Sequence, residues 1–175
     1  MLQTDRLALR PFDRSDAPFI LELLNDPDWI RFIGDRHVHS LADAEAYLEN
    51  GPIAMARKHG FALWHVSERD EGQPVGMCGL LRRASLPDAD LGFAFLARYR
   101  RRGYAREAAT AVLHYADTVL ALPRVLAICD PQNVASIALL RQLGFVSAGQ
   151  TRLPGETLDL HLLGRARGGG PVSPG

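Results

Sequence analysis

The sequence predicts an α/β chain of the α+β kind: a mixed, mostly antiparallel central sheet with helices on both faces. Three observations predict it. Residues 61–96 read as strands joined by connections too short for anything but antiparallel neighbours. An apolar strand at 91–96, a helix-spaced stretch at 103–120 and a second apolar strand at 125–129 form a strand–helix–strand unit, so those two strands run parallel. Helical patterns precede the meander and follow this unit, which supplies cover for both faces of the sheet.

The elements follow in order. Residues 2–12 alternate Leu7 and Leu9 with Arg6 and Arg10, the period of a half-buried strand, stopped by Pro11 and Asp13. Ser15 or Asp16 suits the cap of a helix with Ala17, Ile20, Leu23 and Leu24 on its apolar face, and Asn25-Asp26-Pro27 ends it. Residues 29–39 hold no clean period and are expected as a loop or short helix over a site. Ser40 with Asp43 forms a capping box that uses Asp for Glu. The helix it opens has Ala44, Tyr47 and Leu48 on one face, is broken or kinked at Gly51-Pro52, and resumes to about residue 58.

Residues 61–67 and 74–81 then form a hairpin about the polar turn at 68–74. The strand at 91–96 is apolar on both faces and therefore central. Ala108, Val112, Tyr115 and Val119 repeat at helical spacing, and Pro123 ends that helix. A buried strand at 125–129, a short helix at 133–143 closed by Gly144, and a hairpin from 145–149 and 157–163 complete the order. Residues 164–175, rich in Gly, Pro, Ser and Arg, are expected as a disordered tail behind a single domain spanning 1–163.

Composition narrows the function. The chain has 175 residues, 47% apolar and 23% charged, with 20 basic residues against 20 acidic ones. A neutral balance points to neither nucleic acid nor an acidic membrane surface. No apolar run is long enough to span a bilayer, and the first residues carry no secretory pattern, so a cytoplasmic protein is expected. Cys78 and Cys129 lie far apart in apolar runs and read as buried reduced thiols. His37-x-His39 lacks a third ligand group in the sequence, and no metal is expected.

Against this neutral background the arginines at 98–106 stand out. Gly103 sits where a strand gives way to a helix, and a glycine there lets backbone approach a ligand. The unpaired N–H groups of the first helical turn form an anion site, which flanking arginines supplement.

Four segments together carry a resemblance. Arg100-Arg101-Arg102-Gly103-Tyr104-Ala105 fits the acyl-CoA loop Gln/Arg-x-x-Gly-x-Gly/Ala, Asp90-Leu91-Gly92-Phe93 fits the strand before it, and Asn133-x-x-Ser136 and Leu143-Gly144-Phe145 bracket the next helix. The chain resembles the GNAT superfamily of N-acetyltransferases over nearly all of its length to residue 163. Thr4-x-Arg6-Leu7-x-Leu9-Arg10 looks like the RimJ/RimL branch, which acetylates ribosomal-protein N-termini and other amines. Two positions depart from the pattern: Arg101, often Gly, and Ala97, often Pro.

The resemblance implies the fold above with a splayed parallel pair, acetyl-CoA as cosubstrate, and direct attack of a primary amine on the acetyl carbonyl. Backbone amides of Arg101, Arg102, Gly103, Tyr104, Ala105 and Arg106 would hold the pyrophosphate. Phe95, Leu96 and Ala97 would pair with the pantetheine arm, and the amide of Phe95 or Leu96 would donate to the developing oxyanion. Asn133 is open to two readings, a pantetheine contact or a plain helix cap. Ser136, on the same helix face, is the candidate for hydrogen-bonding the departing thiolate, because no tyrosine occurs in 131–145. Asp90 is the candidate base, with His65 and His114 as weaker alternatives.

Trp29, Phe32, Arg36 and His37 are candidate acceptor contacts. An α-amine with a pKa of about 7.7–8.0 is roughly one-tenth neutral at pH 7, whereas a lysine amine near 10.4 costs on the order of 4.6 kcal/mol to deprotonate. With no unambiguous buried base in the sequence, a low-pKa amine is favoured, such as a protein N-terminus or a small amino compound. The alternatives are a small-molecule amine or antibiotic acetyltransferase, and a non-catalytic acyl-CoA-binding module. Apolar hairpins near the C-terminal end suggest a homodimer.

Overall fold

Residues 2–11 form two short strands, β1 (Leu2–Gln3) and β2 (Leu7–Pro11), where one was expected. The chain turns between them because the Thr4 hydroxyl accepts from the Leu7 amide at 2.9 Å while the Thr4 amide donates to the Leu7 carbonyl at 2.9 Å. The computed structural model describes residues 1–169.

Four helices follow. A 3₁₀ turn (Arg14–Asp16) leads into α1 (Ala17–Leu24) and is capped by Asp13 rather than by Ser15 or Asp16. The Asp16 carboxylate closes that capping box and accepts from the Arg10 guanidinium at 2.8 and 2.6 Å. Asp26 caps α2 (Pro27–Phe32), and the Ser40–Asp43 capping box opens α3 (Leu41–Leu48) as expected. Gly51-Pro52 neither stops nor exits the helix. A π-helical turn (Glu49–Ile53) absorbs the proline, whose ring and missing N–H do not suit a regular α-turn, and α4 (Ala54–His59) continues to Gly60 at φ +77°.

The meander is β3 (Leu63–Glu68), β4 (Pro74–Leu81) and β5 (Asp90–Phe95). The crossover helix α5 (Tyr104–Thr118) leads to β6 (Arg124–Cys129), then α6 (Val134–Gln142), β7 (Val146–Thr151) and β8 (Leu160–Ala166). Together they make one eight-stranded sheet in the order β1-β2-β3-β4-β5-β6-β8-β7. All neighbours are antiparallel except β5 and β6, which are parallel.

The two faces carry separate cores. On one, Ala108, Ala109, Val112 and Leu113 of α5 pack on Val66, Cys78, Leu80 and Leu91. The run of alanines lets the helix lie close to the sheet. On the other, Ile20, Leu23 and Leu24 of α1 and Ala44 and Leu48 of α3 cover Met77 and Leu96. Each large aliphatic side chain buried there contributes roughly 1.5–3 kcal/mol.

The expected tail starts too early. β8 runs to Ala166, pairing Gly164, Arg165 and Ala166 with Leu126, Val125 and Arg124, and a 3₁₀ turn (Arg167–Gly169) follows. Arg165 holds this end in place through Asp117 of α5, at 3.0 and 2.8 Å. The rest of the expected tail, 170–175, lies outside the described residues.

β5 and β6 share a single register pair, Asp90 with Leu126, next to a 2.9 Å bond from the Leu126 amide to the Ala89 carbonyl. Beyond that pair they carry no ladder. The split lies at the carboxyl ends of these parallel strands, the only parallel pair among the described residues, and the remaining geometry of interest gathers there.

Candidate active site

The loop from β5 to α5 leaves the first amides of the helix without intrahelical acceptors. Gly103 takes φ +82° at the cap position of α5, and the helix's own bonding starts with the Glu107 amide donating to the Gly103 carbonyl at 3.1 Å. The amides of Tyr104, Ala105 and Arg106 therefore have no intrahelical acceptor. Arg101 also takes a positive φ, +60°, which explains why glycine suits that position.

The arginines divide into two sets. Arg98 pairs with Glu22 of α1. Arg100 donates to Asp26 and Asp28 at the start of α2, and its Nε to the Phe95 carbonyl at 2.8 Å. Both are thus spent on holding the loop. Arg101, Arg102 and Arg106 are exposed, and among the described residues none pairs with a carboxylate.

The edge of β5 is partly open. The Leu96 amide donates to the Val75 carbonyl at 3.0 Å, and Phe95 is registered with Gly76. Backbone groups alternate from edge to edge along an antiparallel strand. Phe93 and Phe95 therefore turn theirs toward β6, into the split. Three expected partners are already engaged. The Leu96 carbonyl accepts from Tyr99 at 2.9 Å, the Ala97 carbonyl from Arg100 at 3.2 Å, and the Phe95 carbonyl from Arg100. Of the two amides named as oxyanion donors, that of Phe95 faces the split and that of Leu96 does not.

A cavity of about 520 Å³ opens at the split, on the α1–α3 face. Asp90, Gly92 and Phe93 of β5, Cys129 of β6, and Asn133 and Ser136 of α6 line it on the sheet side. Trp29, Arg31, Phe32 and Arg36 line it on the other.

This geometry agrees with a comparison of sequences: residues 6–146 match the family described as an acetyltransferase (GNAT) domain. The chain belongs to the GNAT acetyltransferases. It is an N-acetyltransferase that uses acetyl-CoA. YjdG of Bacillus subtilis, described as an uncharacterized N-acetyltransferase, is 33% identical over 158 residues, covering 83% of this chain and 89% of that one. The GNAT-family acetyltransferase structure from Bacillus anthracis superposes with a TM-score of 0.78 at 23% identity, covering 94% and 97% of the two chains. RimL, a ribosomal L7/L12 α-N-protein acetyltransferase solved with coenzyme A, gives a TM-score of 0.80 at 17% identity, covering 95% and 97%.

Within this GNAT cavity Asp90 is 1% exposed, and both carboxylate oxygens accept from Arg83 Nε, at 3.1 and 3.0 Å. Burial pushes its pKa up, and Arg83 opposes that rise. Asn133 caps α6 as one of its two readings held, with Oδ1 accepting from the Ser136 amide at 3.1 Å. Its side-chain NH₂ has no partner among the described residues. Ser136 and Cys129 are neighbours, and burial raises the Cys129 thiol to about 11, with Asp130 adding to the rise and Ser136 opposing it. Such a thiol is protonated at neutral pH and is no nucleophile.

The acceptor candidates separate. Trp29, Phe32 and Arg36 line the cavity, but His37 does not: its side chain is 83% exposed, at φ +54°, and its amide donates to Asp35 at 2.7 Å. The fold brings Asp35 to His37 and His39, with ligand atoms within 4.8 Å of one another, a third group that spacing alone did not show. His65 is packed edge-on against Phe12 and Phe19 at 5.7 and 5.2 Å, away from the cavity, and His114 is exposed on α5. Neither is placed to act as a base.

Several lining residues were not anticipated. Arg83 and Arg31 gave no periodic signal, and Cys129 read as core because its strand is apolar. Tyr47 was read as a core position of α3, yet it lines the cavity, and burial raises its pKa against the nearby charges of Arg36 and Arg83. No described helix is long and apolar enough to cross a membrane.

Proposed function

We propose that this transferase acetylates an α-amine by direct attack on acetyl-CoA, in the manner of the RimJ/RimL branch. The observation that carries the reading is the split between β5 and β6, which opens an unpaired backbone edge onto a cavity lined by Asp90, Asn133 and Ser136. The amides of residues 101–106 and the exposed Arg101, Arg102 and Arg106 take the pyrophosphate. The Phe95 amide donates to the acetyl oxygen, the free NH₂ of Asn133 steadies the pantetheine arm, and the Ser136 hydroxyl donates a hydrogen bond to the departing thiolate. Trp29, Phe32 and Arg36 receive the acceptor.

An α-amine fits the electrostatics. Asp90 is the only acid of the cavity that is buried, and Arg83 clasps it, so its proton affinity is spent partly on the guanidinium. A weakly basic amine, about one-tenth neutral at pH 7, needs little help in losing its proton. In this reading the Asp90 carboxylate, held by Arg83, accepts the proton that the amine loses on acylation, directly or through water, and that proton balances the one the thiolate takes up as CoA leaves.

The leading acceptor is a protein N-terminus, the substrate class of RimL. A small amine is the second reading, favoured by a cavity whose 520 Å³ suits small-molecule sites. We place the enzyme in the cytoplasm, where Cys78 and Cys129 stay unpaired, and expect a homodimer through the exposed edge strand β7. The test is an acetylation screen with acetyl-CoA against peptide N-termini, amino acids, polyamines and aminoglycosides, read by mass spectrometry. Transfer to α-amines supports the reading; transfer confined to side-chain or polyamine nitrogens refutes it, and acetyl-CoA binding without any turnover would leave a binding module.

A further inference from the structure

We infer that the acceptor amine carries an anionic oxygen group, which Arg31 and Arg36 hold while the amine end faces Asp130 and Glu156. The inference deepens the acetyl-transfer reading of the same cavity and rests on it.

The cavity is electrically divided. Arg83 and Asp90 pair with each other and cancel. What remains is Arg31 and Arg36 on the wall built by α2 and the segment after it, against Asp130 at the end of β6 and Glu156 from the β7–β8 connection. Neither arginine has a carboxylate partner among the described residues. Arg31 lies over the Phe32 ring with its guanidinium carbon 4.7 Å from the centroid, which leaves the fork edges free. Trp29, on the same wall, is 6% exposed, and its Nε1–H is buried without a partner.

This wall therefore offers only donors. Arg31 and Arg36 are exposed at the cavity wall, and a guanidinium has no acceptor capacity. An oxygen-rich anion engages both arginines, with the guanidinium fork matching a carboxylate or phosphate. A polyamine or aminoglycoside would instead set ammonium groups against two unpaired guanidiniums. The opposite wall holds two carboxylates, suited to an ammonium arriving before it loses its proton. The acceptor is thus dipolar: an amino acid or dipeptide, a peptide that begins with an acidic residue, or an aminoalkyl phosphate.

The experiment measures initial rates at saturating acetyl-CoA for matched pairs differing only in charge: an amino acid and its amide, peptides beginning Asp and Asn, an aminoalkyl phosphate and its alcohol, with spermidine as the cationic reference. The anionic member is expected to show at least a ten-fold higher kcat/KM, carried by KM, and the pair with the larger ratio identifies the source of the anion. Arg31→Glu and Arg36→Glu should each erase or invert the preference while acetyl-CoA affinity stays within about two-fold. Amides or spermidine working as well as the anions, or charge reversal leaving the ratio unchanged, overturns the inference while α-amine transfer stands. Transfer to ε-amines alone, with the anionic preference intact, overturns the α-amine reading instead.

Discussion

Arg6 is bound to Glu107 by its backbone and its side chain together: its amide donates to Oε1 at 2.9 Å and its Nε–H to Oε2 at 2.7 Å. The Thr4 hydroxyl donates to the same carboxylate, and Arg6 Nη1 reaches on to the Arg102 carbonyl at 2.9 Å. The Thr4-x-Arg6 opening is therefore a clamp on the first turn of α5. It holds the anion loop from a point 101 residues away in sequence. Tyr104 completes it, with the Arg6 guanidinium 4.7 Å above its ring and its hydroxyl bonded to Glu68.

Glu107→Gln should loosen that loop. The amide side chain cannot accept from three donors, and Arg6 keeps its charge without a partner. Arg6 is 49% exposed, so solvent screening keeps the stability loss to about 1–2 kcal/mol. Acetyl-CoA affinity should fall about ten-fold, measured by calorimetry beside a urea melt. Acid should act the same way. Burial alone would raise Glu107, but its bonds to Thr4 and Arg6 outweigh that and hold it below the ordinary carboxylate value. Its contribution is present above about pH 4.3 and is lost as pH falls through the lower folded value.

Gly103→Asp should remove acetyl-CoA binding, with at least a hundred-fold loss. At φ +82° a side chain is strained, and the new Cβ would lie 3.3 Å from Arg6 Nη2. The carboxylate would compete with Glu107 for Arg6 and place negative charge where the proposed pyrophosphate site lies. Unchanged affinity would refute the loop assignment.

Ser136→Ala tests the thiolate role. The amide of residue 136 still reaches Asn133 Oδ1, so the α6 cap survives. Turnover should drop ten-fold or more with the KM for acetyl-CoA unchanged. Wild-type turnover would return Ser136 to the helix alone.

Asp90 and Arg83 make opposite predictions about pH. Asp90→Asn should flatten the acidic limb of the pH–rate profile, and an unmoved limb would remove Asp90 from the path of the proton. Arg83→Leu strands a buried carboxylate and should cost roughly 3 kcal/mol or more at pH 7. Burial raises the folded pKa of Asp90, and removing Arg83 raises it further. The folded state then binds more protons than the unfolded one between about pH 3.9 and that raised value, so stability falls as pH rises and recovers in acid. A thermal melt at pH 5 and pH 8 reads the difference.

The sequence by itself determined the fold class, the meander, the crossover unit and the glycine that opens α5. Those features depend on local regularities: strand and helix periods, a glycine at a strand–helix junction, caps at Ser40 and Asn133. Local signals also misled at predictable places. The 2–12 alternation concealed the turn that Thr4 makes with Leu7, Pro52 was absorbed by a π-turn, and a Gly- and Arg-rich tail concealed strand residues held by Asp117. Only the tertiary structure decided which charges are free. Among the described residues Arg98 and Arg100 are paired with carboxylates while Arg101, Arg102, Arg31 and Arg36 are not, and Arg83 reaches Asp90 across a turn. It also decided that Phe95 turns its amide into the split while Leu96 turns away, and that His37 stands outside the cavity its neighbours line. Pairing, burial and edge exposure depend on residues distant in the chain, and no window of sequence contains them.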